Sequence, residues 1–274
     1  MGPALALASA VSFGISDFTG GLAAKRTSAV AVTTIAQLTG LVILVPALVW
    51  LPGAPSAAAF GIGALAGLAG AGGLVVYLRG MAIGPMGVVS PLAALIGAAL
   101  PVTYGVWLGE RLSTGNVVGV ALGLAAVVAV AYHPGQVAVA SIRGPLLALT
   151  GGVAFGLFFV LLDATPADSG MWPLVGARLA ALVLVGSLWW HAAPTWPTSS
   201  AAGLAVLSGT LDMLANILFL LAVRSDLLSL TSLLASLYPV VVVVLARHLL
   251  AERLTTLQGA GVGAALVGTA LIVL

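Results

Sequence analysis

Ten stretches of about 20 apolar residues follow one another along this chain, with scarcely a charged side chain inside them. About 20 such residues are what a helix needs to cross the hydrocarbon core of a bilayer. A soluble fold is closed to such a chain, because its surface would need charges that are not there. Only 6% of the residues are Asp, Glu, Lys or Arg, against about 25% in a soluble domain. The outer surface must face lipid, where backbone polar groups are satisfied within the chain and only helices or closed barrels are stable. A barrel would alternate apolar and polar residues in segments of roughly 10. Here the stretches are continuous and rich in Ala, Leu, Val and Gly, so the sequence predicts an all-α integral membrane protein.

The predicted spans are 3–23, 29–51, 57–78, 86–108 and 115–132, then 145–163, 171–191, 200–223, 227–249 and 256–274. Their short connections carry turn residues: Pro52-Gly53-Ala54-Pro55, Gly84-Pro85, His133-Pro134-Gly135 and the segment from Pro194 to Pro197. No connection has room for a soluble domain. The formal net charge is only +2, so the pI near 9.4 reflects scarcity of charge and not a basic face for nucleic acid. Without cysteine, disulfides and thiolate metal sites are excluded. Met1-Gly2-Pro3 offers no basic region ahead of the first apolar segment, which is therefore expected to stay in the membrane.

The two halves repeat. Glu110-Arg111-Leu112-Ser113 recurs 142 residues later as Glu252-Arg253-Leu254-Thr255, and the same offset carries Phe13-Gly14 to Phe155-Gly156, Asn116 to Gln258 and Gly119 to Gly261. The copies are read as 1–138 and 139–274, five helices each. Five is odd, so successive copies must enter the membrane with opposite topology. Inverted repeats of this kind characterise secondary transporters, whose substrate site lies near the midplane between the copies.

The segments "LGERLS" (Leu108 to Ser113) and "LAERLT" (Leu250 to Thr255) each precede a Gly-rich last helix. With "GPMGVVSPL" (Gly84 to Leu92) and "SFGISDFTGGLAAKR" (Ser12 to Arg26), they make the chain similar to the EamA-domain branch of the drug/metabolite transporter superfamily. The resemblance covers nearly the whole chain in a 5+5 arrangement. It implies a ten-helix, basket-like carrier in the cell membrane, moving small molecules by alternating access and exporting amino acids, other metabolites or drugs. It also implies cytoplasmic termini. The basic residues point the other way. Only Arg111 and Arg224 fall on the side of the termini, while Lys25, Arg26, Arg79, Arg143, Arg247 and Arg253 fall opposite. A monomer is expected, with a homodimer as the second reading.

Ionisable residues deep in spanning helices usually face a cavity or a partner. Asp17, Arg178 and Asp212 qualify. Arg178 and Asp212 read either as a substrate or proton site or as an ion pair holding two helices together. Asp17 reads as a functional carboxylate or as a capped polar group near the interface; its counterpart in the second copy is Phe159. Ser208, Asp212 and Asn216 recur every four residues and share a helix face, while the corresponding third helix carries Gly63 and Gly67, a spacing that suits close helix contact. Ser225, Ser229, Ser232, Ser236 and Pro239 form a stripe on the ninth helix. It reads either as hydroxyls bonded to their own backbone or as a pathway wall kinked at Pro239. Ser90-Pro91 and Pro101 are expected to act comparably in the fourth helix. Ser9, Ser12, Ser16 and Thr19 line one side of the first.

Gln37, Tyr77, Tyr104, Trp107 and Tyr238 complete the cavity candidates, the aromatics having an interfacial belt as their alternative. The residues expected to bind substrate or carry coupling are thus Asp17, Gln37, Tyr77, Ser90, Arg178, Ser208, Asp212, Asn216, Ser232 and Ser236. Glu110 and Glu252, with the Ser or Thr that follows each, are expected to cap the next helix, a gate being the alternative. Gly115-Gly119-Gly123 and Gly259-Gly263 read as tight packing.

No cofactor is called for, and protons through Asp17 or Asp212 are the coupling to test. The chain has no GxSxG, HExxH or P-loop, so an intramembrane enzyme or an ATP-driven pump is poorly supported. A lipid flippase on the same fold is the alternative to a metabolite exporter.

Overall fold

The computed structural model describes residues 1–84, 86–131, 143–250 and 256–273. The helices are α1 (Gly2–Ala24), α2 (Ala29–Trp50), α3 (Ala57–Ile83), α4 (Met86–Trp107), α5 (Thr114–Ala131), α6 (Arg143–Asp163), α7 (Trp172–Ala192), α8 (Ser199–Val223), α9 (Leu228–Ala235), α10 (Tyr238–Leu250) and α11 (Thr256–Val273). No strand occurs among the described residues. Serine hydroxyls start several helices by accepting an otherwise unpaired N–H: Ser28 from Ala31, Ser56 from Ala59 and Ser113 from Asn116. Among the described residues, eight segments are long and apolar enough to cross a membrane: α1 to α4, α6 to α8, and α9 with α10 taken as one interrupted span. Of the expected link at 133–144, residues 133–142 lie outside the described residues, as do Glu252, Arg253 and Thr255.

The predicted ninth span, 227–249, is not one helix. It stops after Ala235 and restarts at Tyr238. Pro239 has no N–H to offer the carbonyl of Ala235, and its ring would collide with that carbonyl in a continuous helix. The chain crosses the gap through tighter bonds, Leu237 N–H to Leu234 O at 3.2 Å and Val240 N–H to Leu237 O at 3.0 Å. Gly14 of α1 lies against the break, where a Cβ would come within 2.7 Å of the Tyr238 carbonyl oxygen. Among those eight spans this interrupted one is the most buried, with 78% of it buried against 33% for α3 and α6. The fourth helix behaves differently. It runs unbroken through Pro91 and Pro101, as membrane helices can when neighbours satisfy the freed backbone groups.

Helix pairing is reciprocal between the halves. α1 packs on α8 and α10, and α6 packs on α3 and α4. α2 packs on α8 as α7 does on α3, while α2 meets α7 and α5 meets α11. Ser9 Oγ donates to Ala215 O and Ser16 Oγ to Ser208 O, both at 2.8 Å, so the serine side of α1 stitches it to α8. α3 and α7 come into backbone contact, with Gly63 against the Pro173 carbonyl, Gly67 against that of Ala177, and Gly176 against that of Phe60. The glycines of the last helix divide: Gly268 meets α5 at Gly119 and Gly123, whereas Gly259 and Gly263 face open space among the described residues.

Connections on the face where α1 begins are interlocked. Trp172 Nε1 donates to Gly53 O at 3.0 Å and Ala54 N–H to Asp168 O at 2.9 Å. Gly170, with φ of +52°, lets the two loops meet backbone to backbone at Gly53. Arg224 Nη2 closes the set, donating to Ser169 Oγ at 2.9 Å. Burial lowers the Arg224 pKa and nearby Asp168 partly restores it.

Glu110 joins the same face in an unexpected way. Ser113 caps the following helix, α5, but Glu110 does not. Gly109, with φ of +96°, turns the chain so that the Glu110 carboxylate accepts from the N–H groups of Leu228 (2.8 Å) and Ser229 (3.1 Å). It thereby caps α9, 118 residues away, placing a negative charge on a helix N-terminus. Glu110→Ala is expected to cost about 2–3 kcal/mol, and Glu110→Gln less because one acceptor remains. Denaturant unfolding of the detergent-solubilised protein, followed by circular dichroism, would measure the difference.

Candidate substrate cavity

Helices α1 to α4, α6 to α8 and the α9–α10 break surround a cavity that encloses about 740 Å³ of empty space, its open mouth included. Its polar wall is Asp17, Gln37, Arg178, Asp212, Asn216 and Ser236; its rings are Phe13, Phe155, Phe158, Phe159 and Tyr238.

Arg178 is buried and paired. Nη2 lies 2.6 Å from Asp212 Oδ2, and Nη1 donates to Gln37 Oε1, so one guanidinium ties α7 to both α8 and α2. It fits because residue 40 is glycine: a Cβ there would lie 3.1 Å from the guanidinium carbon. Asn216 Nδ2 donates to the Asp212 carbonyl at 2.7 Å, leaving its buried Oδ1 without a hydrogen bond among the described residues. Across the cavity, Asp17 Oδ2 accepts from the Tyr77 hydroxyl of α3 at 2.9 Å. Asp17 is a buried group joined to another helix, not an interfacial one. Asp212 and Tyr238 are its electrostatic neighbours.

The expected site residues separate by position. Asp17, Gln37, Arg178, Asp212, Asn216 and Ser236 line the cavity. Tyr77 stands behind Asp17, with Ser90 buried beside it. Ser208 is taken up by Ser16 of α1, and Ser232 Oγ donates to the Leu228 carbonyl of its own helix at 2.6 Å; neither lines the cavity. The aromatics divide too. Tyr77 and Tyr238 are buried inside the fold, while Trp107 is exposed, as are Trp50, Trp190 and Trp196, each at or near a helix end as belt residues are.

The ring wall is what sequence reasoning missed. Phe13 and Phe155 served there only as markers of the repeat, Phe159 only as the counterpart of Asp17, and Phe158 drew no notice. Phe13 approaches Phe159 at 6.2 Å and Tyr238 at 6.4 Å between ring centroids, and Phe158 approaches Phe159 at 5.8 Å. The available signal was the spacing of 155, 158 and 159, which places three rings on one side of α6.

A multi-pass helical membrane protein with a buried charged cavity between its halves is what fold and site together define. The chain belongs to the EamA-like transporter family, whose model matches residues 1–132 and again residues 142–274. Members of this family, within the drug/metabolite transporter superfamily, are membrane transporters and not enzymes. No curated protein matches the chain. A solved crystal structure of a protein at 20% sequence identity aligns over 97% of this chain and 98% of that chain with a TM-score of 0.71, which shows a shared fold.

Proposed function

We propose that this protein is a secondary active transporter of the cell membrane that exports small metabolites by alternating access. Ten spans in two inverted repeats, 1–138 and 139–274, would rock about the cavity, with no cofactor and with protons as the coupling ion. The observation that carries the reading is the cavity itself: buried Asp17 on one side and the Arg178–Asp212 pair on the other, on helices from both halves. The double match of the family model and the reciprocal packing of α1 on α8 and α6 on α3 support the repeat. Export as the direction rests on the family resemblance.

Coupling is assigned to Asp17 or Asp212. The groups that face Asp17 are Tyr77, Tyr238 and Asp212, the last neutralised by Arg178. In proteoliposomes with an imposed pH gradient, Asp17→Asn is expected to lower gradient-driven transport by roughly tenfold or more while leaving the protein folded. Transport that ignores the gradient and survives Asp17→Asn together with Asp212→Asn would overturn the coupling. Reporter fusions at each terminus, read from both sides, would decide between the family orientation and the one favoured by the basic residues.

A further inference from the structure

We infer that the cavity takes a hydrophobic organic cation, a substituted ammonium on an aromatic or aliphatic body, held by the Asp17 carboxylate within the ring wall. The inference rests on the transporter reading and names its substrate class.

Charge is the first reason. Arg178 is the one cation on the described wall, and its charge is already paired: Nη2 is held by Asp212 and Nη1 donates to Gln37. A substrate carboxylate would compete with Asp212 for that single positive charge in a low-dielectric site, and taking it over would leave Asp212 unpaired, which is strongly unfavourable. What remains on the wall is Asp17. Its partner among the described residues is the Tyr77 hydroxyl, a hydrogen-bond donor that brings no positive charge. The wall therefore offers one carboxyl group with no cation beside it, a group whose ionised form a cationic ligand would stabilise. An anion or a zwitterion would bring its own carboxylate beside two others.

The rings are the second reason. Phe13, Phe155, Phe158, Phe159 and Tyr238 present π-systems to the same space, and aromatic faces attract cations, most strongly where water is excluded. Phe13 and Tyr238 bracket the Asp17 side of the cavity, Phe13 standing one helical turn below it on α1. Quaternary ammonium groups are recognised by such boxes, and the apolar remainder of the wall suits a hydrophobic body.

The test uses four compounds of one shape and different charge: benzyltrimethylammonium, phenylacetamide, phenylalanine and phenylacetate. Each is titrated against the purified full-length protein by thermal stabilisation, which reports binding to the folded form. The cation is expected to raise the melting temperature, with the neutral compound weaker and the zwitterion and anion without effect. Asp17→Asn is expected to weaken the cation by about tenfold or more and to leave phenylacetamide unchanged. Phe158→Leu, which keeps an apolar side chain but removes a ring, is expected to weaken the cation alone by about threefold. A preference for phenylalanine or phenylacetate, cation binding indifferent to both substitutions, or no binding by any of the four would each overturn the substrate class. Flux in proteoliposomes separates the two levels. Transport of phenylalanine would leave the transporter standing and remove the cation, whereas a cation that binds but is never transported would remove the transporter.

Discussion

Replacing Arg178 with methionine is expected to destabilise the folded protein by about 3–5 kcal/mol, the range seen when one member of a buried ion pair is removed. Arg178 is only 6% exposed and Asp212 16%, so methionine would leave a carboxylate facing the cavity with no counter-charge and Gln37 without its donor. Much of that loss is the penalty of the orphaned Asp212, not the net worth of the pair. Arg178→Met with Asp212→Leu is therefore expected to recover most of the stability, while either single substitution is poorly folded. A double-mutant cycle on the detergent-solubilised protein, read by denaturant unfolding, measures this directly. If the double variant is as unstable as the sum of the singles, the pair does not act as a unit. The recovered variant separates stability from function: as a cavity wall without Arg178 and Asp212, it is expected to fold but to transport poorly.

Gly67→Val is expected to be comparably severe, at about 3 kcal/mol. The Cβ it introduces falls on the Ala177 backbone, which has no flexible end to move aside. Separating α3 from α7 is the only relief, and the residue after Ala177 is Arg178, so the displacement would reach the ion pair. Small residues matter at such a crossing because close backbone approach supplies much of the association energy of helices in lipid. Gly61 is the control. It lies on the same helix with nothing within 4 Å, so Gly61→Ala is expected to be neutral or to stabilise by about 0.5–1 kcal/mol through helix propensity. Equal losses from Gly67→Val and a valine at 61 would show that the α3–α7 contact is not what sets the effect.

Much of the candidate site was legible in advance, but as parts. Asp17, Arg178 and Asp212 stood out because charges inside apolar spans are costly, and Asn216 followed from its four-residue spacing to Asp212. What joins them was not legible. Gln37 lies 141 residues from Arg178 and Tyr77 lies 60 from Asp17, and no local pattern marks either pair. The serine stripes looked alike along the chain. Ser16 proved to bond across to α8 while Ser232 bonds to its own helix, a difference set by which neighbour each hydroxyl meets.

The helices themselves explain why inward faces were hard to pick. A soluble helix advertises its buried side by a polar face opposite. Here apolar residues point both to lipid and to protein, as exposed Val42, Val49 and Val183 and buried Leu44 and Val185 show within α2 and α7.

By itself, the sequence determined that this chain is an all-helical membrane protein of the EamA type, because so few charges cannot cover a surface in water and because its motifs recur in both halves. Tertiary structure decided which polar groups share a cavity, that aromatic rings wall it, that the ninth span is two helices, and that Glu110 caps a helix 118 residues away. Those contacts depend on packing between distant segments. In lipid that packing is chosen by shape and by hydrogen bonds, not by an apolar stripe that can be read along the chain.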